Sequence, residues 1–249
     1  MKDFNSIVQD PSWFSKWFDS SFYHQLYANR DENEAKAFID ELLLELQPVE
    51  AASMLDLGCG SGRHARYLAS NGFNVTGIDL ASSSIRTAKQ SKMENLQFYR
   101  HDMRVPFGND RYDFVFNFFT SFGYFKEDRE NLQIVRNIFN SLKPGGMVVF
   151  DYMNAAYASS RLIASEQKEI DGISYDITRW EDETNIYKKI QVGNLHEFTE
   201  QVQKFTIFDF DCMFRKAGLQ LQKVYGDYEL GEYDRETSPR LILLAKKPA

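Results

Sequence analysis

The chain has 249 residues and a mass of 29.0 kDa, enough to bury a full core as one elaborated domain or as a domain with a cap. A formal net charge of −7 and an isoelectric point near 5.2 argue against nucleic acid as a partner. The two cysteines form no disulfide framework, and no apolar run approaches the length of a membrane span. Because the segment MKDFNSIVQDPSW also lacks the apolar stretch of a signal peptide, we expect a cytoplasmic protein without a membrane partner.

The first part of the chain predicts a helix that follows an aromatic segment. Residues 12–30 combine aromatic and polar side chains, and Asp31 and Glu34 then have the spacing of a capping box. Apolar residues recur at helical spacing from Ala35 to Leu46, and Pro48 ends the pattern. We therefore expect an N-terminal helical segment that begins near residue 31.

From Ser53 the chain alternates between strand-like and helical stretches. The strand-like runs lack polar alternation, which suits a parallel sheet covered by helices on both faces. A closing helix and two further strands follow near the end of the chain. The predicted strands are Met54–Leu57, Val75–Leu80, Leu96–Tyr99, Tyr112–Phe119, Met147–Tyr152, Leu219–Tyr225 and Arg240–Lys246, and the closing helix is Phe208–Lys216.

The pattern changes after Tyr152. Ile173–Trp180, Ile186–Val192 and Phe198–Phe205 alternate and carry many charges, with turn signals between them. They predict an antiparallel cap placed where the crevice of an α/β sheet opens. We therefore divide the chain into a core of residues 1–152 and 207–249 and a substrate-binding cap of residues 153–206.

The stretch LDLGCGSGRH joins a predicted strand to a predicted helix through Gly58, Gly60 and Gly62. Arg63 stands where a dinucleotide loop would need its last glycine, and no Lys-Ser/Thr pair forms a phosphate loop. Asp56 lies two residues before the first glycine, where a carboxylate would repel a pyrophosphate and suit a ligand with an ammonium group. The turn therefore predicts close backbone approach to a ligand that is not a phosphate.

Two further carboxylates follow the next strands. Asp79 ends the second strand, where it could accept hydrogen bonds from ribose hydroxyls, and Asp102 follows the third, where it could accept from an adenine amino group. Backbone groups near Met103 could hold the rest of the base edge. Together with the glycine turn, these acids describe an adenosine that carries a small zwitterionic tail, which is S-adenosylmethionine (SAM).

With these motifs the chain resembles the class I SAM-dependent methyltransferases over roughly residues 20–247. LDLGCGSGRH matches their first motif, GIDL the acidic one, and HDM and LKPGG later ones; FNFFTSFGYF and SPRLILLAKK are similar to a group of bacterial methyltransferase-domain proteins. The resemblance implies a Rossmann-like fold with a seven-stranded, mostly parallel sheet whose last strand runs antiparallel between the fifth and sixth. It also implies SAM as the cofactor and S-adenosylhomocysteine (SAH) as the product.

The resemblance further implies that Tyr23, Tyr27 and Arg30 match an N-terminal stretch that helps to enclose the cofactor, with Arg30 facing the methionine carboxylate. The alternative is that these residues pack the N-terminal segment. With the residues of the glycine turn, the acids and the end of the fourth strand, the expected cofactor-binding set is Tyr23, Tyr27, Arg30, Asp56, Gly58, Cys59, Gly60, Asp79, Leu80, Asp102, Met103, Asn117 and Phe118.

The acceptor site is expected beside the fourth strand. Its aromatic side chains would wall a pocket or lie against the sulfonium, although they could equally belong to the core. Phe119, Phe122, Tyr124 and Arg240 are the candidates for substrate contact, and His24, Tyr124 and Tyr233 are weak candidates for a base. His64 and His101 are expected in a helix and a loop rather than in catalysis. The four histidines share no metal-ligand spacing, so no metal site is predicted.

The leading hypothesis is a SAM-dependent methyltransferase that acts on an oxygen, nitrogen or carbon atom of a small molecule. A non-catalytic SAM- or SAH-binding module would carry the same glycine turn and acids. RNA or protein methylation is a third possibility, against which the negative charge and the cap argue. The sequence names neither the acceptor nor the oligomeric state.

Overall fold

The computed structural model describes residues 13–28 and 32–249. Within those ranges no helix is both long and apolar enough to cross a membrane. The helices are α1 (Trp13–Phe18), α2 (Ser21–Leu26), α3 (Glu32–Leu46), α4 (Arg63–Ser70), α5 (Ser82–Ala88), α6 (Asp128–Ser141), α7 (Ala155–Ser160) and α8 (Ile207–Ala217). The periodic helix before Pro48 is thus confirmed as α3, whereas its predicted cap, Asp31, lies outside the described residues.

The strands form two sheets. They are β1 (Ser53–Leu57), β2 (Asn74–Asp79), β3 (Leu96–Arg100), β4 (Tyr112–Asn117), β5 (Leu142–Met153), β6 (Ser165–Ile170), β7 (Ile173–Glu181), β8 (Asn185–Val192), β9 (His196–Gln203), β10 (Gln220–Tyr225) and β11 (Arg240–Lys246). The larger sheet has the order β10-β11-β5-β4-β1-β2-β3, and the smaller one the order β6-β7-β8-β9. In the larger sheet β11 runs antiparallel between β5 and β10, which confirms the predicted seven-stranded topology.

The centre of the larger sheet sets the position of the site. β1 lies between β4 and β2, parallel to both, with Met54 opposite Phe114 on one side and Val75 on the other. The chain proceeds outward from β1 through β2 to β3, and then returns to β4 on the opposite side of β1. A crevice opens at such a reversal, at the carboxyl ends of the strands. The loops after β1, β2 and β4 therefore meet at one edge of the sheet.

Two boundaries differ from the predicted ones. The fourth strand ends at Asn117 rather than Phe119, because Phe119 adopts a positive φ of 55° that no strand accommodates. The Lys143–Gly146 turn signal lies inside β5, which begins at Leu142 immediately after the end of α6. The helix therefore runs directly into the strand, and the turn residues form an irregularity in its pairing with β4, where Tyr112 lies opposite Leu142 but Phe114 lies opposite Met147.

The smaller sheet is an antiparallel meander formed by residues 165–203. Three of its strands match the predicted alternating segments. β6 was not predicted, because its sequence SEQKEI has one apolar residue; its side chains make polar contacts with β7, from Glu166 to Arg179 and from Gln167 to Asp176. The division of the chain into a core and a cap at residues 153 and 206 stays a prediction.

Helices α1 and α2 were also not predicted, because six residues are too few to show a helical period. The hydroxyl of Ser20 caps α2 by accepting from the Tyr23 N–H at 3.1 Å. The Trp17 side chain is fully buried among Tyr175, Ile177 and Ile190 of the smaller sheet. Packing against this sheet, rather than intrinsic helix propensity, therefore holds the two short helices in place.

Candidate functional site

The glycine turn after β1 is held by its own backbone. Gly58 and Gly60 have φ values of +80° and +54°. The N–H groups of Gly58 and Cys59 donate to the Ile78 carbonyl at 2.9 and 3.0 Å, and that of Gly60 donates to Asp79 Oδ2 at 2.8 Å. The donors that a phosphate-binding loop presents to its ligand are thus occupied within the protein. A Cβ built on Gly60 would meet no atom within 4 Å, so the backbone there borders open space.

Asp79 is the carboxylate at the end of β2. Its Oδ1 accepts from the Ala81 N–H at 2.8 Å, and its Oδ2 from the Gly60 N–H. Each oxygen therefore keeps acceptor capacity, since a carboxylate oxygen can take two hydrogen bonds. Burial raises the pKa of Asp79, although these backbone donors offset part of the rise. The geometry suits a ligand that brings two hydroxyl donors.

Asp56 lies behind the cavity wall rather than on it. Its side chain is fully buried, and among the described residues neither carboxylate oxygen has a hydrogen-bond partner. Burial, followed by the negative charge of Asp79, raises the pKa of Asp56 to about 7. The structure therefore does not bring this carboxylate to the cavity surface as predicted, and its negative charge reaches the cavity only as an electrostatic field.

Asn117, another predicted cofactor residue, is also buried. Its amide Nδ2 donates to the Leu57 carbonyl at 2.8 Å and to the Ser121 carbonyl at 3.2 Å. These bonds tie the end of β4 to the end of β1, which explains why the side chain turns inward. Asn117 supports the cavity floor but does not line the cavity.

Asp102 is already engaged by a neighbouring cation. Arg104 Nη2 lies 2.6 Å from Asp102 Oδ2, its backbone N–H donates to Oδ1 at 2.9 Å, and its Nη1 reaches Glu130 at 2.8 Å. Burial favours a higher pKa for Asp102, but Arg104 holds the pKa below its ordinary value. The carboxylate is thus ionised and oriented, and it lines the cavity beside Met103.

These elements surround one cavity of about 590 Å³. Its floor, defined here as the loops after β1 to β4 with the start of α4, carries the predicted residues Gly58, Cys59, Gly60, Asp79, Leu80, Asp102, Met103, Phe118, Phe119 and Tyr124. Its roof, defined as residues 13–28, contributes Phe14, Phe18, Tyr23, His24, Tyr27 and Ala28. Of the residues that the structure describes, those of the smaller sheet do not line the cavity. That sheet supports the roof from behind, and Arg30 lies outside the described residues.

The loop after β4 presents Phe119 to the cavity through a strained turn. Phe119 and Thr120 both have left-handed φ values, 55° and 58°, which are rare for a bulky and a β-branched residue. Asp151 of β5 holds them: its Oδ2 accepts from the Phe119 N–H and its carbonyl from the Thr120 N–H, each at 2.8 Å. The Tyr124 hydroxyl donates to the Thr120 carbonyl, which fixes that side chain at the cavity as well.

Three residues predicted to contact substrate or act as a base lie away from the cavity. Phe122 is fully buried against Phe150 and Phe210, because the strained turn before it directs its ring into the core. Arg240 is paired with Asp151, with Nη2 2.5 Å from Oδ1, and also donates to Thr120 Oγ1. Tyr233 donates to Asn154 Oδ1 at 3.3 Å and packs beside the core. Arg240 therefore supports the turn that carries Phe119.

The structure also adds residues that the sequence did not indicate. His64 stacks on Phe118 with ring centroids 4.4 Å apart, and Arg63 lies over Phe119 at 5.4 Å from the ring centroid. Both line the cavity, as do Ser121 and His101. His64 and Arg63 occupy the first turn of α4, directly after the third glycine. Their position directly after the glycine turn, at the edge of the sheet where the site lies, is the sequence feature from which their place in the cavity could have been predicted.

The cavity fits SAM on its own chemistry. Its volume lies in the range of small-molecule sites. Asp79 can accept two hydroxyl hydrogen bonds, and its negative charge, together with that of Asp56 when ionised, favours a cationic tail. Aromatic rings from both the roof and the floor face the same space, where a sulfonium can rest against them. Among the described residues, no three histidine, cysteine, aspartate or glutamate side chains group as metal ligands.

Comparison with known proteins finds similarity to methyltransferases. A family model described as a methyltransferase domain matches residues 54–146. The chain is 26% identical over 242 residues to a putative methyltransferase of Bacillus subtilis, covering 92% of this chain and 95% of that protein. The matched segment contains the glycine turn, Asp79, Asp102 and the strained turn.

Two solved structures share the fold. A SAM-dependent methyltransferase from Clostridium acetobutylicum superposes with a TM-score of 0.77 at 18% identity, covering 92% of this chain and 96% of the other. A SAM-bound amino pentose methyltransferase from Micromonospora echinaspora gives 0.67 at 20% identity, covering 92% and 97%. At these identities the similarity shows the fold.

Proposed function

We propose that this chain is a class I SAM-dependent methyltransferase, with SAM as its cofactor, and that it methylates a small-molecule acceptor. The observation that carries the proposal is the cavity itself, with the glycine turn in its floor and two helices as its roof. A roof of this kind excludes water and limits the size of the acceptor. The amino sugar relative from Micromonospora supports an acceptor of this size.

We assign the floor to the cofactor. Asp79 would accept from the ribose hydroxyls, Asp102 and Met103 would face the adenine, and Gly58 and Gly60 would allow the backbone to approach the tail. Tyr23 and Tyr27 would cover the cofactor from the roof, with Arg30 assigned to the carboxylate by the family resemblance. Asp56 would act at a distance through its charge.

SAM supplies an electrophilic methyl group, so the chain's residues have to orient the acceptor, exclude water and, for some acceptors, take a proton. We assign the acceptor side to Phe119 and Tyr124, which the strained turn holds toward the roof. His24 and Tyr124 are the candidate bases that line the cavity. His24 Nε2 lies 3.0 Å from Ser83 Oγ, and the Tyr124 hydroxyl is directed at Thr120. Tyr233 is not retained, because Asn154 holds it outside the cavity lining.

The test measures SAH formation from SAM in the presence of candidate acceptors. The small acceptors are a panel of amines, phenols and carbon acids. Total RNA and a denatured peptide mixture are assayed in parallel as polymeric acceptors. We expect SAH with at least one small acceptor, and we expect Tyr124→Phe or His24→Gln to lower kcat for it. A protein that binds SAH but forms none with any of these acceptors would be a binding module. SAH formation with RNA or peptide alone would overturn the small-molecule assignment.

A further inference from the structure

The face of the smaller sheet that packs against the roof carries one apolar and one polar group of side chains, and both groups contact the roof. Its apolar part, formed by Tyr175, Ile177, Ile190 and Val192, encloses the Trp17 ring, whose exposure is 0%. Its polar part is formed by Lys188 of β8 and Glu200 of β9, which lie opposite each other in the register of the two strands. The side chains of Lys188 and Glu200 are 15% and 16% exposed, so both charges are largely desolvated.

Glu200 joins α1 to Tyr27, the residue that directly follows α2. Its Oε1 accepts from Trp17 Nε1 at 2.6 Å and from the Tyr27 hydroxyl at 2.9 Å, and its Oε2 lies 3.2 Å from the same hydroxyl. The Lys188 ammonium donates to the Tyr27 oxygen and lies 3.9 Å from Glu200. A carboxylate that accepts from neutral donors in a desolvated place makes strong, directional bonds. Glu200 thus fixes the Tyr27 side chain relative to Trp17.

The contact continues to the cavity through aromatic rings. Tyr23 packs edge-on against Trp17 at 5.5 Å and against Tyr27 at 4.9 Å between ring centroids. Tyr23 and Tyr27 both line the cavity, whereas Glu200 and Lys188 do not. A displacement of the Tyr27 hydroxyl by loss of its acceptor would therefore move a cavity wall, although no atom of Glu200 reaches the cavity.

We propose that Glu200 is a positioning residue through which the smaller sheet sets the roof, and thereby sets the affinity of the cavity for SAM and SAH. The sheet then acts on the site through Tyr27 rather than by contacting an acceptor. The proposal rests on the cavity's binding of SAM, but it does not require methyl transfer.

The test compares Glu200→Gln with Glu197→Gln. Glu197 lies on the same strand, pairs with Lys189 and is 46% exposed, so its substitution removes the same charge without touching the roof. In Glu200→Gln the amide oxygen can still accept from Trp17 and Tyr27, but both hydrogen bonds lose their charged acceptor and the Lys188 ammonium beside Tyr27 loses its counter-charge. Since hydrogen bonds to a charged group are roughly twice as strong as neutral ones, we expect about tenfold weaker SAH binding by calorimetry and faster SAH dissociation by stopped flow. The Glu197 variant should bind like the wild type.

A double-mutant cycle separates positioning from a general loss of stability. Tyr27→Phe removes only the hydroxyl, and alone it should weaken SAH binding to a similar extent. In the Tyr27→Phe background, Glu200→Gln should have little further effect if Glu200 acts through that hydroxyl. Additive effects, or an unchanged SAH affinity in folded Glu200→Gln, would overturn the proposal. If Glu200→Gln does not fold, a Tyr27→Phe variant with wild-type affinity overturns it equally. Failure of the wild type to bind SAH would instead refute the proposed function.

Discussion

The floor and the roof of the cavity are built by different means. The floor comes from loops that leave adjacent parallel strands, and its groups are satisfied by backbone hydrogen bonds such as those from Gly58 and Cys59 to Ile78. The roof is two six-residue helices whose position depends on side-chain contacts with the smaller sheet and with α5. A floor of this type resists displacement, whereas a roof held by a few side chains can open locally. Changes in the floor should therefore affect the whole fold or abolish binding, while changes in the roof should alter local opening.

The largest effect is expected at the ion pair beneath the floor. In Asp151→Asn the Arg240 guanidinium keeps its charge in a buried place, where the two side chains are 16% and 2% exposed, and Phe119 loses an ionised acceptor. Breaking such a pair costs about 3–5 kcal/mol. Denaturant unfolding should show this loss, whereas Asp211→Asn, which breaks an exposed pair within α8, should cost about 0.3–0.5 kcal/mol. Equal losses would show that the floor is not the more rigid region.

Alanine substitutions at two positions of the glycine turn should destabilise the floor to different extents. A Cβ on Gly58 would lie 2.7 Å from the Ser121 Cβ at a φ of +80°, so Gly58→Ala should cost about 2–4 kcal/mol from strain and overpacking together. Gly60→Ala meets no atom within 4 Å and carries only the cost of its φ of +54°, about 1–2 kcal/mol. Thermal unfolding of both variants checks this order, and a less stable Gly60 variant would contradict it.

Asp79→Ala tests whether the floor binds the ribose. We expect SAH binding to weaken about ten- to a hundredfold, because hydrogen bonds to a charged acceptor contribute roughly 1.5–3 kcal/mol. Asp102→Ala should cost less affinity, since backbone groups near Met103 remain. The SAH affinity of each folded variant is measured by calorimetry. Wild-type affinity in Asp79→Ala would refute the ribose assignment.

The floor was largely predictable because its residues are close in sequence and follow strands. The glycine turn, Asp79 and Asp102 each lie at the end of a recognisable strand, and a single topology brings them to one edge. Within the same region the prediction did not separate Phe119 from Phe122. The two rings point to opposite sides because Phe119 and Thr120 adopt left-handed conformations that neither residue favours. The cause, Asp151, lies 32 residues away from Phe119 and was predicted only as part of a strand.

The roof was less predictable for a related reason. Trp17 and Glu200 are 183 residues apart, and no local pattern indicates that they meet. The cap was expected to line the crevice, whereas it packs behind two helices that are too short to show a period. The sequence also did not show that the side chains of Asp56 and Asn117 are buried, because the burial of a polar side chain depends on how neighbouring strands assemble into the sheet.

Asp19 is a second residue, besides Glu200, that holds the roof in place. Its loss should increase local opening with little effect on global stability, unlike the changes in the floor. Asp19 accepts from the Ser83 N–H at 2.6 Å and from the Ser82 hydroxyl at 2.9 Å. Asp19→Ala should cost only about 1 kcal/mol globally, because these bonds are partly exposed. Hydrogen exchange should nevertheless rise in residues 13–28 and stay unchanged in β1. Equal increases in both segments would mean that the roof and the floor open as one unit.

The smallest effect concerns the buried carboxylate behind the floor. Burial and the charge of Asp79 raise the pKa of Asp56 from 3.8 to about 7, so the folded protein holds this proton more tightly than the unfolded chain does. Stability from Asp56 is therefore fully present below pH 3.8 and is lost as the pH rises toward 7. Between pH 6 and 7.5 the loss should amount to about 1 kcal/mol.

Asp56→Asn removes this titration, so its free energy of unfolding should fall less than that of the wild type over the same pH interval. Asp79, whose pKa is also raised by burial, remains in both proteins and contributes with the same sign to each. The difference between the two pH profiles of SAH-free protein therefore reports Asp56 together with its electrostatic coupling to Asp79. Parallel profiles would show that Asp56 is ionised throughout, and a partner for its carboxylate would then have to be found behind the glycine turn.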